Sequence, residues 1–181
     1  MDINNQFYTE ILDILQKSNV KYILIGGLAV AYYGYHRYTS DMDLWLEPTK
    51  ENLDNLYQAL EKELGYPPDE INHIRINREI ENATPIRLFS DDDTLFIDLM
   101  TTTFQNMFSW KECAEASNTI RLGSDDSPIT VPVVHINHLI RMKENSKRLD
   151  NNMKDLVDAQ ELKKIQEIKQ KEKNKGKGFS L

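Results

Sequence analysis

A chain of 181 residues with 40% hydrophobic content is long enough to bury one real core and a small helical appendage, so one domain or a domain and a half is expected. The formal net charge of −7 argues against a broad nonspecific grip on nucleic acid, since that affinity comes mostly from neutralising phosphates. The single cysteine, Cys113, excludes an internal disulfide, no apolar run reaches the length of a membrane span, and MDINNQFYTE lacks a basic segment followed by an apolar one, so a cytoplasmic protein is expected.

In chain order, Phe7, Ile11, Ile14 and Leu15 recur at helical spacing and predict an amphipathic helix that covers a sheet. Tyr22 to Ile25 is a short apolar, partly β-branched run that stops at Gly26-Gly27. Leu28 to Tyr35 then reads as a small-residue helix, so the glycines fall at a strand-to-helix turn. Such a turn is an anion site: the backbone comes close to a ligand, and the amides opening the helix point outward with the positive end of its dipole. Beyond it, Asp41 and Asp43 flank Met42 and lead into Leu44-Trp45-Leu46; as a strand, this run puts both carboxylates on one face. Paired carboxylates suit a hard cation such as magnesium, which completes its shell with phosphate oxygens, so cradle and acids form one functional unit. Read singly, the glycines are a tight turn and the acids a solvated loop; together, in this order, they point to nucleotide and metal chemistry.

Leu53, Leu56, Tyr57, Leu60 and Leu64 predict a second amphipathic helix, punctuated by Pro48 near its start and by Gly65 and Pro67-Pro68 at its end. Further strands are expected near Ile74 to Ile76, Ile86 to Phe89 and Leu95 to Met100, the last two joined as a hairpin through Ser90 to Asp93. Asp91, Asp92 and Asp93 are then turn residues that satisfy backbone amides rather than a metal cluster. Asp98 is a lone charge in an apolar strand, costly unless used. Phe104 to Ala116 reads as a helix in which Cys113 packs. A loop through Gly123 to Pro128 leads to a short strand, Ile129 to Val134, at a sheet edge. Asn137 caps a helix beginning HLIRMK, and a last helix carries Met153, Leu156, Val157, Ile165 and Ile168. Seven lysines between Lys163 and Lys177 face only Glu167 and Glu172, read as a solvated helix end or as a basic arm guiding an RNA substrate. His36, His73, His135 and His138 show no zinc spacing.

The run YILIGGLAVAYYGYHRYTSDMDLWL resembles the nucleotidyltransferase superfamily typified by DNA polymerase β: an apolar strand, Gly-Gly or Gly-Ser, a spacer of about ten residues, then Asp-x-Asp. Here thirteen residues separate Gly27 from Asp41. The resemblance implies an α/β (α+β) nucleotidyltransferase fold, a mixed β-sheet flanked by helices with a helical C-terminal part. It also implies two magnesium ions held by Asp41, Asp43 and Asp98, the last helping to deprotonate the attacking hydroxyl. A nucleoside triphosphate would bind at Gly26 and Gly27. Arg37, Thr39 and Ser40, lying between turn and acids, would be close to it; Arg37 either pairs with a triphosphate oxygen or packs the loop.

The segment HLIRMKENSKRLDNNMKDLVDAQEL is similar to one in bacterial minimal nucleotidyltransferases and in AbiEii-like toxins of type IV toxin-antitoxin systems. On that pattern Lys143 would reach the nucleotide phosphates, unless it is an ordinary exposed helical lysine, and Lys154-Asp155-Leu156-Val157-Asp158 matches the second element. Asp155 and Asp158 read as salt-bridge or capping residues, and six residues between Arg148 and Asp155 put any role for Arg148 in doubt. The expected organisation is a catalytic domain at 1–136, C-terminal helices at 137–173 and a disordered tail at 174–181. The expected activity moves a nucleoside monophosphate to a hydroxyl on a tRNA, a small molecule or a protein, with an antitoxin as a further partner and no membrane. Two other readings stay open: an inactive relative that binds nucleotide or antitoxin, and a hydrolase.

Overall fold

The computed structural model describes residues 3–81, 85–101, 107–124, 127–146 and 152–177. Its elements are α1 (Gln6–Lys17), β1 (Tyr22–Ile25), α2 (Gly26–Tyr33), β2 (Asp41–Leu46), α3 (Lys50–Lys62), α4 (Pro68–Glu81), β3 (Ile86–Phe89), β4 (Phe96–Met100), α5 (Trp110–Glu115), β5 (Asn118–Ser124), β6 (Ser127–Val133), α6 (Ile136–Glu144) and α7 (Asn152–Lys177). The strands form one mixed sheet in the order β3-β4-β2-β1-β6-β5. The fold is thus the expected mixed sheet flanked by helices with a helical C-terminal part. β2 runs antiparallel to β1 and parallel to β4, so the C-terminal end of β1 and the N-terminal ends of β2 and β4 meet at one end of the sheet.

β1 and β2 are buried along nearly their whole length, so apolar side chains fill both of their faces, as central strands require. α1 packs against β6 and α3, while α2, α6 and α7 pack on one another. Side chains cap the helices: Asn5 accepts from the Phe7 amide at 2.9 Å, and Thr49 accepts from the Asn52 amide at 3.3 Å. Among the described residues no helix is long and apolar enough to cross a membrane.

Five expectations are corrected. Ile74 to Ile76 is not a strand but part of α4, where Pro68 opens the helix and Asp69 and Glu70 complement its dipole. The helix expected at Phe104 to Ala116 is confined to Trp110–Glu115, because Ser109 caps it; residues 102–106 lie outside the described residues. The strand at Ile129 to Val134 is longer and interior: β6 pairs with β1 on one side and on the other with β5, an edge strand whose Asn, Gly and Ser hid it. The α6 cap is His135, whose Nδ1 accepts from the Asn137 amide at 3.3 Å. α7 is helical through Lys177, past the start of the expected tail; residues 178–181 and Arg148 lie outside the described residues.

Buried Asn52 ties the sheet together. Its Oδ1 accepts from the Lys21 amide at 2.7 Å, and its Nδ2 donates to the Lys21 and Glu47 carbonyls at 2.9 and 3.1 Å. Asn52→Ala strands those three groups and should destabilise the fold by about 3 kcal/mol in urea unfolding, against near-neutrality for Gln58→Ala at an exposed position of the same helix. Burial pushes the Cys113 thiol up to about 11, with Glu112 adding to it, and burial pushes Tyr33 up to about 12. Each group folds with its neutral form favoured, so its contribution is intact below its unfolded value, about 8.5 for a thiol, and is lost as pH climbs past it. The urea midpoint should therefore fall from pH 8.5 to 11, and less steeply in Cys113→Ala.

Candidate active site

The site begins where β1 ends. Gly26 has φ of +68°, a left-handed conformation, and opens α2 with no side-chain cap on its first amides. A Cβ built on Gly26 would lie 1.8 Å from Asp43 Oδ2, so the carboxylate sits directly against the bare backbone. A Cβ on Gly27 would lie 2.6 Å from Thr39 Oγ1 and 3.3 Å from Arg37 Nη2. The two glycines therefore admit, respectively, the Asp43 side chain and the loop that precedes β2.

The sheet register assembles the acids. Asp43 is the Cα partner of Asp98 across the parallel β2–β4 pair, and Asp98 is the partner of Arg87 across the antiparallel β3–β4 pair. One row on one face thus reads Asp43, Asp98, Arg87, and the next reads Asp41, Phe96, Phe89. Asp43 is 7% exposed and Asp98 5%. The Arg87 fork grips Asp98 through Nε–Oδ1 at 2.7 Å and Nη2–Oδ2 at 2.8 Å, and its guanidinium lies 4.3 Å from the Phe96 ring centroid. Hydrogen bonds to Asp98 hold Arg87 above its ordinary range. Asp41 accepts from the buried Thr39 hydroxyl. Ser40 contributes its carbonyl, which accepts from the Phe96 amide and from the Tyr8 hydroxyl, each at 3.3 Å. Burial and then the Asp41 charge raise the Tyr8 hydroxyl.

On the other side of Gly27 stands a four-membered ion cluster. Arg37 donates through Nε and Nη2 to Asp158 at 2.7 and 2.8 Å and through Nη1 to the Tyr38 carbonyl at 3.1 Å. Lys143 Nζ reaches Asp155 at 2.7 Å and Asp158 at 3.0 Å. Asp158 is wholly buried. Burial works against the Arg37 charge, but the bonds and charge of Asp158 outweigh it and raise the guanidinium. The cleft between cluster and acids, lined by Gly27, Thr39, Asp41, Asp43 and Lys154 among others, holds about 30 Å³, the room of a single water.

Thus Gly26, Gly27, Thr39, Ser40, Asp41, Asp43 and Asp98 converge at one sheet end, and Arg37 and Lys143 stand beside them engaged with acids of α7. Asp155 and Asp158 form the salt bridges expected of them. Sequence reasoning missed Arg87, the partner of Asp98; the hairpin at Ser90 to Asp93 already set the two strands in opposition, and counting register across it finds the pair. It also missed that Asp158 holds Arg37, a contact between residues far apart in the chain that nothing local signals.

No protein-family model matches the chain, and no curated protein does. Among solved structures it is similar to an antigenic nucleotidyltransferase-like protein from Paracoccidioides brasiliensis, at 15% identity with a TM-score of 0.49, over 89% of this chain and 76% of that one. It is also similar to the lincosamide antibiotic adenylyltransferase LnuA in its lincomycin-bound form, at 10% identity and a TM-score of 0.43, over 90% of this chain and 99% of that one. At these values neither structure fixes the reaction or the substrate of this chain, which have to be argued from its own residues.

The glycines give a test of the packing. Gly65 also has positive φ (+72°) but nothing within 4 Å of a Cβ. Gly65→Ala should therefore cost only backbone strain, about 1 kcal/mol, whereas Gly26→Ala adds displacement of Asp43 and should cost at least about 1 kcal/mol more in urea unfolding.

Proposed function

We propose that the chain is a magnesium-dependent nucleotidyltransferase that moves a nucleoside monophosphate from a nucleoside triphosphate to a hydroxyl acceptor and releases pyrophosphate. One observation carries this reading: Asp41 and Asp43 on β2 and Asp98 on β4 stand on one sheet face, with Asp43 seated against the glycine that opens α2.

The donor set fits the metal. Carboxylate oxygens are what magnesium prefers, and Asp43 and Asp98 are register partners about 5 Å apart at the backbone. Among the described residues no group of three or more His, Cys, Asp or Glu forms a ready-made metal cage; Asp98 is held by Arg87 and Asp41 by Thr39. Asp41, Asp43 and Asp98 would hold the ions once Arg87 yields an Asp98 oxygen. Bound there, magnesium supplies neutralisation of phosphate charge and acidifies the attacking hydroxyl.

The remaining work belongs to the chain. The uncapped amides of Gly26 and Gly27 donate to the β and γ phosphates at the positive end of α2. Lys143 and Lys154 bring positive charge to the cleft, and Arg37, fixed to Asp158, holds the loop that carries Thr39 and Asp41. The acceptor oxygen bonds to the α phosphorus, the bond from that phosphorus to its bridging oxygen breaks, pyrophosphate leaves in line, and Asp98 receives the proton. We assign catalysis to residues 1–136 and the closing cations and acids to the helices at 137–173. We further place the chain with minimal or AbiEii-like nucleotidyltransferases, a placement supported by the meeting of Lys143, Asp155 and Asp158 beside Gly27, and infer an antitoxin partner from that placement alone.

A specific observation favours a second reading, a silent protein that binds nucleotide or antitoxin: Asp98, Arg37 and Lys143 are already engaged by partners within the chain. Purified wild type and Asp43→Asn, incubated with each α-³²P-labelled nucleoside triphosphate, magnesium and cell lysate, separate the two. Label should move to an acceptor with pyrophosphate released, chelation by EDTA should abolish transfer, and Asp43→Asn should lower it at least about a hundredfold. Nucleotide bound without turnover would favour the silent reading, and full activity in Asp43→Asn would contradict the assignment.

A further inference from the structure

The acids around the cleft are neutralised in two different ways. Arg37 and Lys143, with side chains 14% and 11% exposed, are closed in around the wholly buried Asp158. Arg87, which grips Asp98, is 44% exposed. It stands on β3, an edge strand among the described residues, with its guanidinium over the Phe96 ring and the exposed Phe89 ring 6.0 Å beyond. The first two cations are packed in place. The Arg87 fork can leave Asp98 by turning about its own side-chain torsions, and the aromatic pair keeps a seat for the freed charge.

Asp98 needs a cation wherever that fork goes. It is buried, and its Cα partner across the β2–β4 pair is Asp43, so two carboxylates stand opposite each other in one row. Hydrogen bonds to Asp98 first, opposed by burial, and then the charges of Asp98, Asp41 and Asp43 raise the Arg87 guanidinium. Arg87 thus answers the same three acids that would hold magnesium, and its two bonds take one oxygen each, Oδ1 and Oδ2, of Asp98. A metal ion arriving alone gains carboxylate oxygens but has to displace a two-point, charge-assisted pair. One arriving with a triphosphate gains phosphate oxygens as well, which offsets that displacement.

We propose that Arg87 is a built-in counter-cation that keeps Asp98 closed to a lone metal ion and yields it to one that arrives with a triphosphate. Arg87 is a positioning residue, acting on the reaction through Asp98. Without nucleotide it keeps the row of acids neutralised, so the protein stays folded without a full metal complement. This role rests on the nucleotidyltransferase reading above.

The test titrates manganese into wild type, Arg87→Gln, Arg87→Lys and Arg87→Gln combined with Asp98→Asn, each with and without a non-hydrolysable triphosphate, and reads free metal by electron paramagnetic resonance. Wild type should bind manganese weakly alone and more tightly with triphosphate. Arg87→Gln should bind lone manganese at least about tenfold more tightly than wild type, the fold-change of one lost hydrogen bond to a charged group. Arg87→Lys, which keeps the charge but loses the fork, should show a smaller gain of the same sign, and the gain should vanish in the double variant. The urea midpoint of Arg87→Gln should be lower than that of wild type and should recover with magnesium, because the metal replaces the missing charge. Lone-metal affinity unchanged or lowered in Arg87→Gln, or a gain that survives Asp98→Asn, while wild type still binds manganese with triphosphate, would overturn this proposal and leave the nucleotidyltransferase reading standing. No manganese binding by wild type or any variant, with triphosphate or without it, would overturn that reading and the role of Arg87 with it.

Discussion

The Asp43 carboxylate occupies the volume in which any residue other than glycine at position 26 would carry its Cβ. This contact joins two pieces of chain that alternation alone would not bring together: the turn that starts α2 and the first residues of β2. The sheet register follows from there. With β1 antiparallel to β2 and β2 parallel to β4, the strand ends that carry Gly26, Asp43 and Asp98 lie side by side. On the proposed reading, the amides that would meet phosphate and the oxygens that would meet metal are thereby held on rigid elements, with only the loop before β2 between them.

Burying acids needs compensation, and the chain supplies it twice. Arg87 on the edge strand neutralises Asp98, and Arg37 and Lys143 share Asp155 and Asp158 across α6 and α7. On the proposed reading these pairs set the terms on which a ligand enters: a divalent cation on Asp98 would compete with the guanidinium fork, and a triphosphate approaching Lys143 would compete with two carboxylates of α7. The narrowness of the cleft has the same origin, because the ion pairs draw α7 and the loop at Arg37 together over Gly27. On that reading, ligand binding and rearrangement of these ion pairs would be coupled steps.

Much of the arrangement was legible in the chain. Hydrophobic periodicity located α1, α3 and β1, and alternation placed Asp41 and Asp43 on one face, because both signals depend only on neighbours in sequence. The hairpin over Ser90 to Asp93 was readable from turn chemistry, and with it the chance to pair Arg87 with Asp98. What escaped depended on distant partners or on competing local signals. Ile74 and Ile76 fit a strand until Pro68 and the acids after it are read as a helix start. β5 is rich in residues that disfavour strands and is held in place by β6. The hold of Asp158 on Arg37 joins residues 121 apart in sequence.

The central claim, that Asp41, Asp43 and Asp98 form one cation-dependent triphosphate site against Gly26, is tested most directly by paramagnetic broadening. Manganese titrated into labelled protein with a non-hydrolysable triphosphate should broaden the amide resonances of Gly26, Asp43 and Asp98 first, and should fail to do so in Asp43→Asn. Broadening centred elsewhere, or unchanged in that variant, would contradict the account.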